Sequence, residues 1–201
     1  MPNKFLAVEG KDEVNFFEKW FKLLEIRGVT IKPAAGKDNF RTELPALIRS
    51  SEFEEASLLA IIRDADGNAQ GEFDSIISTL NSNEIQSLGY SLSIPDSPNT
   101  FSDSDLSIGI FIIENELEDL CLKSLKSPEV EPCVDKFFEC LPKNLEENIK
   151  KKSKARLQTY LSAMNENCNS LGVAAQKGYF DFEAKALEPL KEFLMCLKQA
   201  D

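Results

Sequence analysis

The chain has 201 residues and an ordinary globular composition, 42% hydrophobic and 28% charged, which is enough for one substantial core. It contains no histidine, which removes Ser-His-Asp and Cys-His catalysis and His-ligated zinc and leaves carboxylates, lysine, arginine and a metal ion as the available chemistry. A net charge of -11 argues against tight, sequence-independent binding of duplex nucleic acid, which depends on neutralising many phosphates.

No window approaches the roughly 18 apolar residues of a membrane span. The first residues, Met1-Pro-Asn-Lys4, lack the apolar stretch of a signal peptide, so the cytoplasm is the expected compartment. The five cysteines include no CxxC pair, and their spacing suits neither zinc nor a disulfide framework. Unpaired thiols are expected.

In chain order, Phe5 to Val8 is a short apolar strand followed by Glu9-Gly10. From Asp12, a plausible N-cap, the spacing of Phe16, Phe17, Trp20, Phe21 and Leu24 predicts a helix that ends near Gly28. Val29 to Ile31 reads as a second strand, closed by Pro33 and Gly36. Asp38 is placed to cap the next helix, through Phe40, Leu44 and Ile48, with Pro45 implying a kink or a later start. A third strand spans Ala56 to Ile62, and a third helix runs through Phe73, Ile76 and Leu80, as far as Leu88 in its longest form. The segment Tyr90 to Asp105, with two prolines and many Ser and Thr residues, reads as a long loop. Leu106 to Ile113 is the fourth strand, and a helix follows from Glu116. Beyond Ser127 the pattern is helical, over Val130 to Leu141, Lys143 to Met164 and Phe182 to Leu197, with Asn165 to Gly178 separating the last two. Strands alternating with helices predict an α/β fold with a mainly parallel four-stranded sheet, covered on both faces. Residues 1–126 form that α/β unit, and 127–201 a helical C-terminal extension packed on it or a separate small helical domain.

In a parallel sheet the carboxyl ends of the strands share one edge, which is where sites form. Glu9 follows the first strand, Asp64 and Asp66 the third, and Glu114, Glu116, Glu118 and Asp119 the fourth. In an extended backbone Asp64 and Asp66 would point to the same side, with Gly67 letting the chain turn behind them. Carboxylates crowded on one edge repel, and a hard divalent cation relieves that repulsion. Each piece also has a plainer account: Glu9 as a helix-dipole charge, the 114–119 cluster as a solvated first turn, and the DxDG run as a simple turn. An EF-hand is ruled out, since Ala69 stands where glycine is needed and Ser75 where the bidentate glutamate belongs.

Val8-Glu9-Gly10-Lys11-Asp12-Glu13 after a first strand and Asp64-Ala-Asp66-Gly67 after a third resemble the two signature motifs of the toprim domain, found in topoisomerases, primases and OLD-family nucleases. The closer resemblance is to small stand-alone toprim-like proteins of prokaryotes, and it extends to Gly109 to Leu120 and Gly178 to Phe182. The resemblance implies a toprim-like three-layer fold, with Glu9 as general acid/base or metal ligand. It implies Asp64 and Asp66 as the acidic pair that holds Mg²⁺ (or Mn²⁺), and a further acid after the fourth strand, Glu118 first and Glu114 second. No tyrosine domain, zinc ribbon, primase accessory domain or ATPase domain accompanies these motifs, which speaks against topoisomerase or full primase activity.

Ile149 to Arg156 is the one dense basic run. On a helix Lys150, Lys151, Lys154 and Arg156 would share a broad side, which suits either phosphate binding or a solvated face. Lys11, Lys37 and Arg63, near predicted strand ends, could screen the carboxylates or contact substrate phosphate. Tyr179, Phe180 and Phe182 fit docking of the last helix better than base stacking. Leu187, Leu190, Phe193, Leu194 and Leu197 have the spacing of a packed helix or of a homodimer seam. The expected function is Mg²⁺-dependent phosphodiester chemistry on nucleic acid. The alternatives are nucleotidyl transfer and a non-catalytic module that binds metal, nucleotide or a protein partner.

Overall fold

Four strands run parallel: β1 (Asn3–Val8), β2 (Val29–Pro33), β3 (Ala56–Asp64) and β5 (Ser107–Ile113). A short fifth, β4 (Thr100–Phe101), pairs antiparallel with β5 at one edge, giving the order β2-β1-β3-β5-β4. The computed structural model describes residues 3–36, 39–90 and 92–199. The helices are α1 (Lys11–Leu24), α2 (Phe40–Arg49), α3 (Ala69–Leu80), α4 (Asn83–Gln86) and α5 (Leu117–Leu122). They continue with α6 (Glu131–Glu139), α7 (Lys143–Glu146), α8 (Lys152–Ser162), α9 (Leu171–Lys177) and α10 (Glu188–Gln199).

The strands are continuous apolar runs because both faces of the sheet are covered. Leu6, Val8, Leu58, Ala60, Ile62, Phe111 and Ile113 face one core, closed by α1, α5, α8, α9 and α10. Their neighbours Phe5, Ala7, Leu59, Ile61, Ile108, Ile110 and Ile112 face the other, closed by α2, α3 and α4. The result is a three-layer α/β fold. The helices after residue 127 supply Leu157, Tyr160, Leu161, Ala174, Leu190 and Leu194, and the connection after α9 supplies Phe180, to the same core as Trp20 of α1. Phe180 and Phe182 pack on the Phe16 and Trp20 rings, and the apolar stripe of α10 is buried inside the chain.

The sheet has five strands rather than four. Phe101, in the stretch expected to be a loop, lies across Gly109, where an added Cβ would meet its ring at 2.2 Å. A two-residue strand is too short to show periodicity, and it is held by its partner's missing side chain. The single helix expected over Lys143 to Met164 is two, α7 and α8, broken at Ile149 to Lys151. Lys150 and Lys151 therefore precede α8 and do not share its face with Lys154. The separating stretch 165–178 contains α9. Helix α1 starts after Gly10, with Asp12 in its first turn, and α2 starts at Phe40 with Pro45 in its interior; Asp38 lies outside the described residues. None of the five cysteines is paired. No helix is long and apolar enough to cross a membrane among the described residues.

The connection β1-α1-β2 lies on one face, and β2-α2-β3 crosses back on the other. The strand order therefore reverses between β1 and β3, and a crevice opens at their carboxyl ends. Glu9 and Asp64 stand at that point.

Candidate metal centre

Glu9, the residue after β1, accepts the backbone N–H of Asp64 through Oε1 at 3.3 Å. Asp64 is the last residue of β3, and its Oδ1 accepts the N–H of Leu117, the first residue of α5, at 3.1 Å. The Asp64 carboxyl thus sits where two strand ends and a helix start meet. Pairing continues one step further, Ala65 N–H to Ile113 O at 2.8 Å and Asp66 N–H to Asn115 O at 3.3 Å. Asp66 (φ 46°) and Gly67 (φ 84°) are then both left-handed, turning the chain into α3. Alternation along the strand therefore stops at Ala65, and the backbone turn rather than the pleat places Asp66.

Four further carboxylates act on Asp64. Burial pushes its pKa up first, followed by the charges of Glu9, Glu118, Glu13 and Asp66, to about 9. Burial also raises Glu13 and Glu118. Against it, a backbone hydrogen bond lowers each of them, and Lys154 and Lys151 further offset the rise at Glu118. Beneath them the buried Cys121 thiol is pushed well up by burial and by the Glu118 and Asp64 charges, so it stays neutral.

Glu118, on the first turn of α5, is brought to Asp64. Glu114 is not: it is exposed and lines a different cleft with Lys123 and Lys185, because the chain bends between Ile113 and Leu117. Lys11 and Lys154 line a cavity of about 380 Å³ with Glu13 and Glu118. Lys151 pairs with Glu116 at 2.7 Å and with Asp66 at 3.5 Å. Arg63, expected near substrate phosphate, is 4% exposed, since it precedes Asp64 and points to the opposite face. There its guanidinium meets Glu72 at 2.8 Å, lies 3.9 Å from Glu9 and covers the Phe40 ring. Lys37 lies outside the described residues.

Two further carboxylates at this edge were named in the sequence only as members of a motif or cluster and given no role of their own. Glu13 is the third residue of α1 after a glycine cap, a position where a carboxylate turns back toward the helix start. Glu116 caps α5 in a reciprocal capping box with Asp119, and the Glu-x-x-Asp spacing was its available signal.

The donors are all carboxylate oxygens, which suits a hard divalent cation and no soft one. No group of three or more Asp, Glu or Cys side chains arranged to hold a metal ion is found among the described residues.

Two solved structures are similar to the chain. The hypothetical protein PH0156 from Pyrococcus horikoshii OT3 aligns over 100% of this chain and 99% of its own, with 15% identity and a TM-score of 0.50. The C-terminal region of the Burkholderia pseudomallei OLD protein aligns over 98% and 99%, with 12% identity and a TM-score of 0.45. The first likeness concerns the fold. No curated protein matches the chain. Residues 3–199 match one family profile along almost the whole length, and the chain belongs to that family, DUF3226, described as a protein of unknown function.

Proposed function

We propose that this protein is a toprim-like, divalent-cation-dependent protein that hydrolyses phosphodiester bonds of nucleic acid. One observation carries the reading. Glu9 and Glu118, far from Asp64 in sequence and each following a strand, both act on Asp64 at a single sheet edge, where burial first and these charges second raise its pKa to about 9. Asp64 and Asp66, with Glu118, are the residues that would hold Mg²⁺ or Mn²⁺. Such a cation supplies polarisation of the phosphate and a more acidic water. Glu9, fixed by the Asp64 N–H, is placed to take or return a proton at that edge. Lys11 and Lys154, in the cavity beside Glu13 and Glu118, are placed to bind phosphate.

A second reading, a non-catalytic module, draws support from the finding that no group of three or more Asp, Glu or Cys side chains is arranged to hold a metal ion among the described residues. The two are separated by titrating purified protein with Mg²⁺ and Mn²⁺ beside the Asp64→Asn/Asp66→Asn double variant, with labelled single-stranded DNA, duplex DNA and RNA in the same samples. Binding and cleavage lost together in the variant support hydrolysis, and product analysis distinguishes it from nucleotidyl transfer. Cation binding without turnover favours the module. No binding at millimolar cation removes the hydrolase and leaves a module that works without a cation.

A further inference from the structure

The basic run does not lie along an empty surface; it docks on the acidic edge. Lys151 Nζ is 2.7 Å from Glu116 Oε1 and 3.5 Å from Asp66 Oδ1. The anchor on the Glu116 side is rigid, because the reciprocal capping box fixes that carboxylate and Ser153 Oγ donates to Asp119 Oδ1 at 2.7 Å, pinning the start of α8 to the start of α5. The contact with Asp66 is the longer and looser one. The same ammonium lines a cavity of about 570 Å³ with Lys150, Lys152 and Ser153, and its side chain is 59% exposed.

We infer that Lys151 couples the cation to the phosphate: it neutralises Asp66 while no cation is bound and turns to a substrate phosphate in the adjoining cavity once a cation takes Asp66. The inference rests on the reading of Asp64, Asp66 and Glu118 as cation ligands. An ammonium and a divalent cation cannot both sit on one carboxylate oxygen without repulsion, so each weakens the other there. With Asp66 taken, Lys151 retains Glu116 alone, and its charge is available to a phosphate that Lys150 and Lys152 also face. By reciprocity a phosphate that draws Lys151 away strengthens cation binding by the same factor. Its carboxylate partners raise the Lys151 pKa, so the ammonium stays charged in either position. Lys151 is on this account a positioning residue that orders the two ligands.

The test uses the full chain, its Lys151→Met variant, which keeps the alkyl stem of an exposed side chain, and Lys191→Met as a control on α10 whose ion pair is with Glu183. Calorimetry with Mn²⁺ alone should show Lys151→Met binding about two- to fivefold tighter than wild type, the range set by loss of one exposed ion pair, with Lys191→Met unchanged. Anisotropy of a fluorescein-labelled single-stranded oligodeoxynucleotide, its intactness checked on a gel, should show Mn²⁺ tightening binding to wild type and Lys191→Met but not to Lys151→Met. Equal or weaker Mn²⁺ affinity in Lys151→Met overturns the coupling and leaves the acidic-edge reading standing. Mn²⁺ binding that survives in Asp64→Asn/Asp66→Asn, or is absent from wild type and Lys151→Met alike, removes the reading and the coupling together.

Discussion

Asp64 Oδ1 accepts the backbone N–H of Leu117, so the carboxyl that ends β3 also holds the first turn of α5. Glu118 on that turn is thereby kept beside Asp64, and its charge adds to the rise that burial gives the Asp64 pKa. This contact governs how the site should respond to pH.

A cation at Asp64 must displace a proton, because burial, and after it the charges of the neighbouring carboxylates, hold that group protonated up to about pH 9. Affinity for Mn²⁺ should therefore rise by about tenfold per pH unit between about pH 6 and 8, as expected when one proton leaves per ion bound. Calorimetry in buffers of different ionisation enthalpy measures that proton directly. A slope of zero would show that Asp64 is not a ligand.

Without a cation the same group lowers stability as pH rises. Its folded-state pKa lies above the ordinary carboxyl value of 3.8, so the folded chain binds more protons than the unfolded one. The associated stability is present below that ordinary value and is lost progressively as pH climbs to about 9. Asp64→Asn keeps the acceptor for Leu117 and removes the charge. In thermal melts at alkaline pH it should unfold about 2–4 °C higher than wild type, with a flatter pH dependence.

Arg63 is buried against Glu72 and over Phe40, with its Nε lacking a hydrogen bond. Replacing Arg63 removes the buried positive charge that faces both Glu72 and Glu9. Arg63→Met should cost about 3–5 kcal/mol in urea titrations, and Arg63→Met/Glu72→Met should recover most of it. A single-variant loss below about 1 kcal/mol would mean the pair is solvated.

Gly172 of α9 lies so close to α1 that an added Cβ would meet the Asp12 carbonyl and the Asn15 side chain, each at 2.6 Å. Alanine is the better helix former by about 1 kcal/mol. The collision is with backbone and should win, so Gly172→Ala should destabilise by about 1–3 kcal/mol. A stabilised variant would refute this close packing.

The strands and their order of use were legible because Leu58 to Ile62 and Ile108 to Ile113 are apolar without interruption, which only a sheet covered on both faces requires. Glu9 and Asp64 were legible because each stands where such a run ends. Asp66 was identified for the wrong geometric reason, since two left-handed residues intervene where the pleat was expected to continue. Helix α9 was missed because Gly172, Ala174 and Ala175 carry little hydrophobic signal, although Ser170 and Gly178 cap it at either end. The break before α8 lies in a lysine run with no apolar periodicity, and the docking of Lys151 on Glu116 is a tertiary fact that no local pattern records. Arg63 and Glu114 are set apart from the Asp64 carboxyl by direction: one packs on Glu72 while remaining 3.9 Å from Glu9, and the other stands before the bend.

The Lys4 ammonium, buried in β1, donates to the carbonyl of Leu197, a bond that spans 193 positions. On the ribosome, β1 can pair with β2 and β3 soon after they emerge, and α2 and α3 can cover one side early. The opposite side, begun by α1 and α5, is finished only by α8, α9 and α10, which are made after every strand they cover, and Lys4 meets its acceptor only when Leu197 has cleared the exit tunnel. A nascent chain paused before that point would present a wet, greasy sheet face, the kind of surface that chaperones hold, beside an acidic edge that still lacks its lysines.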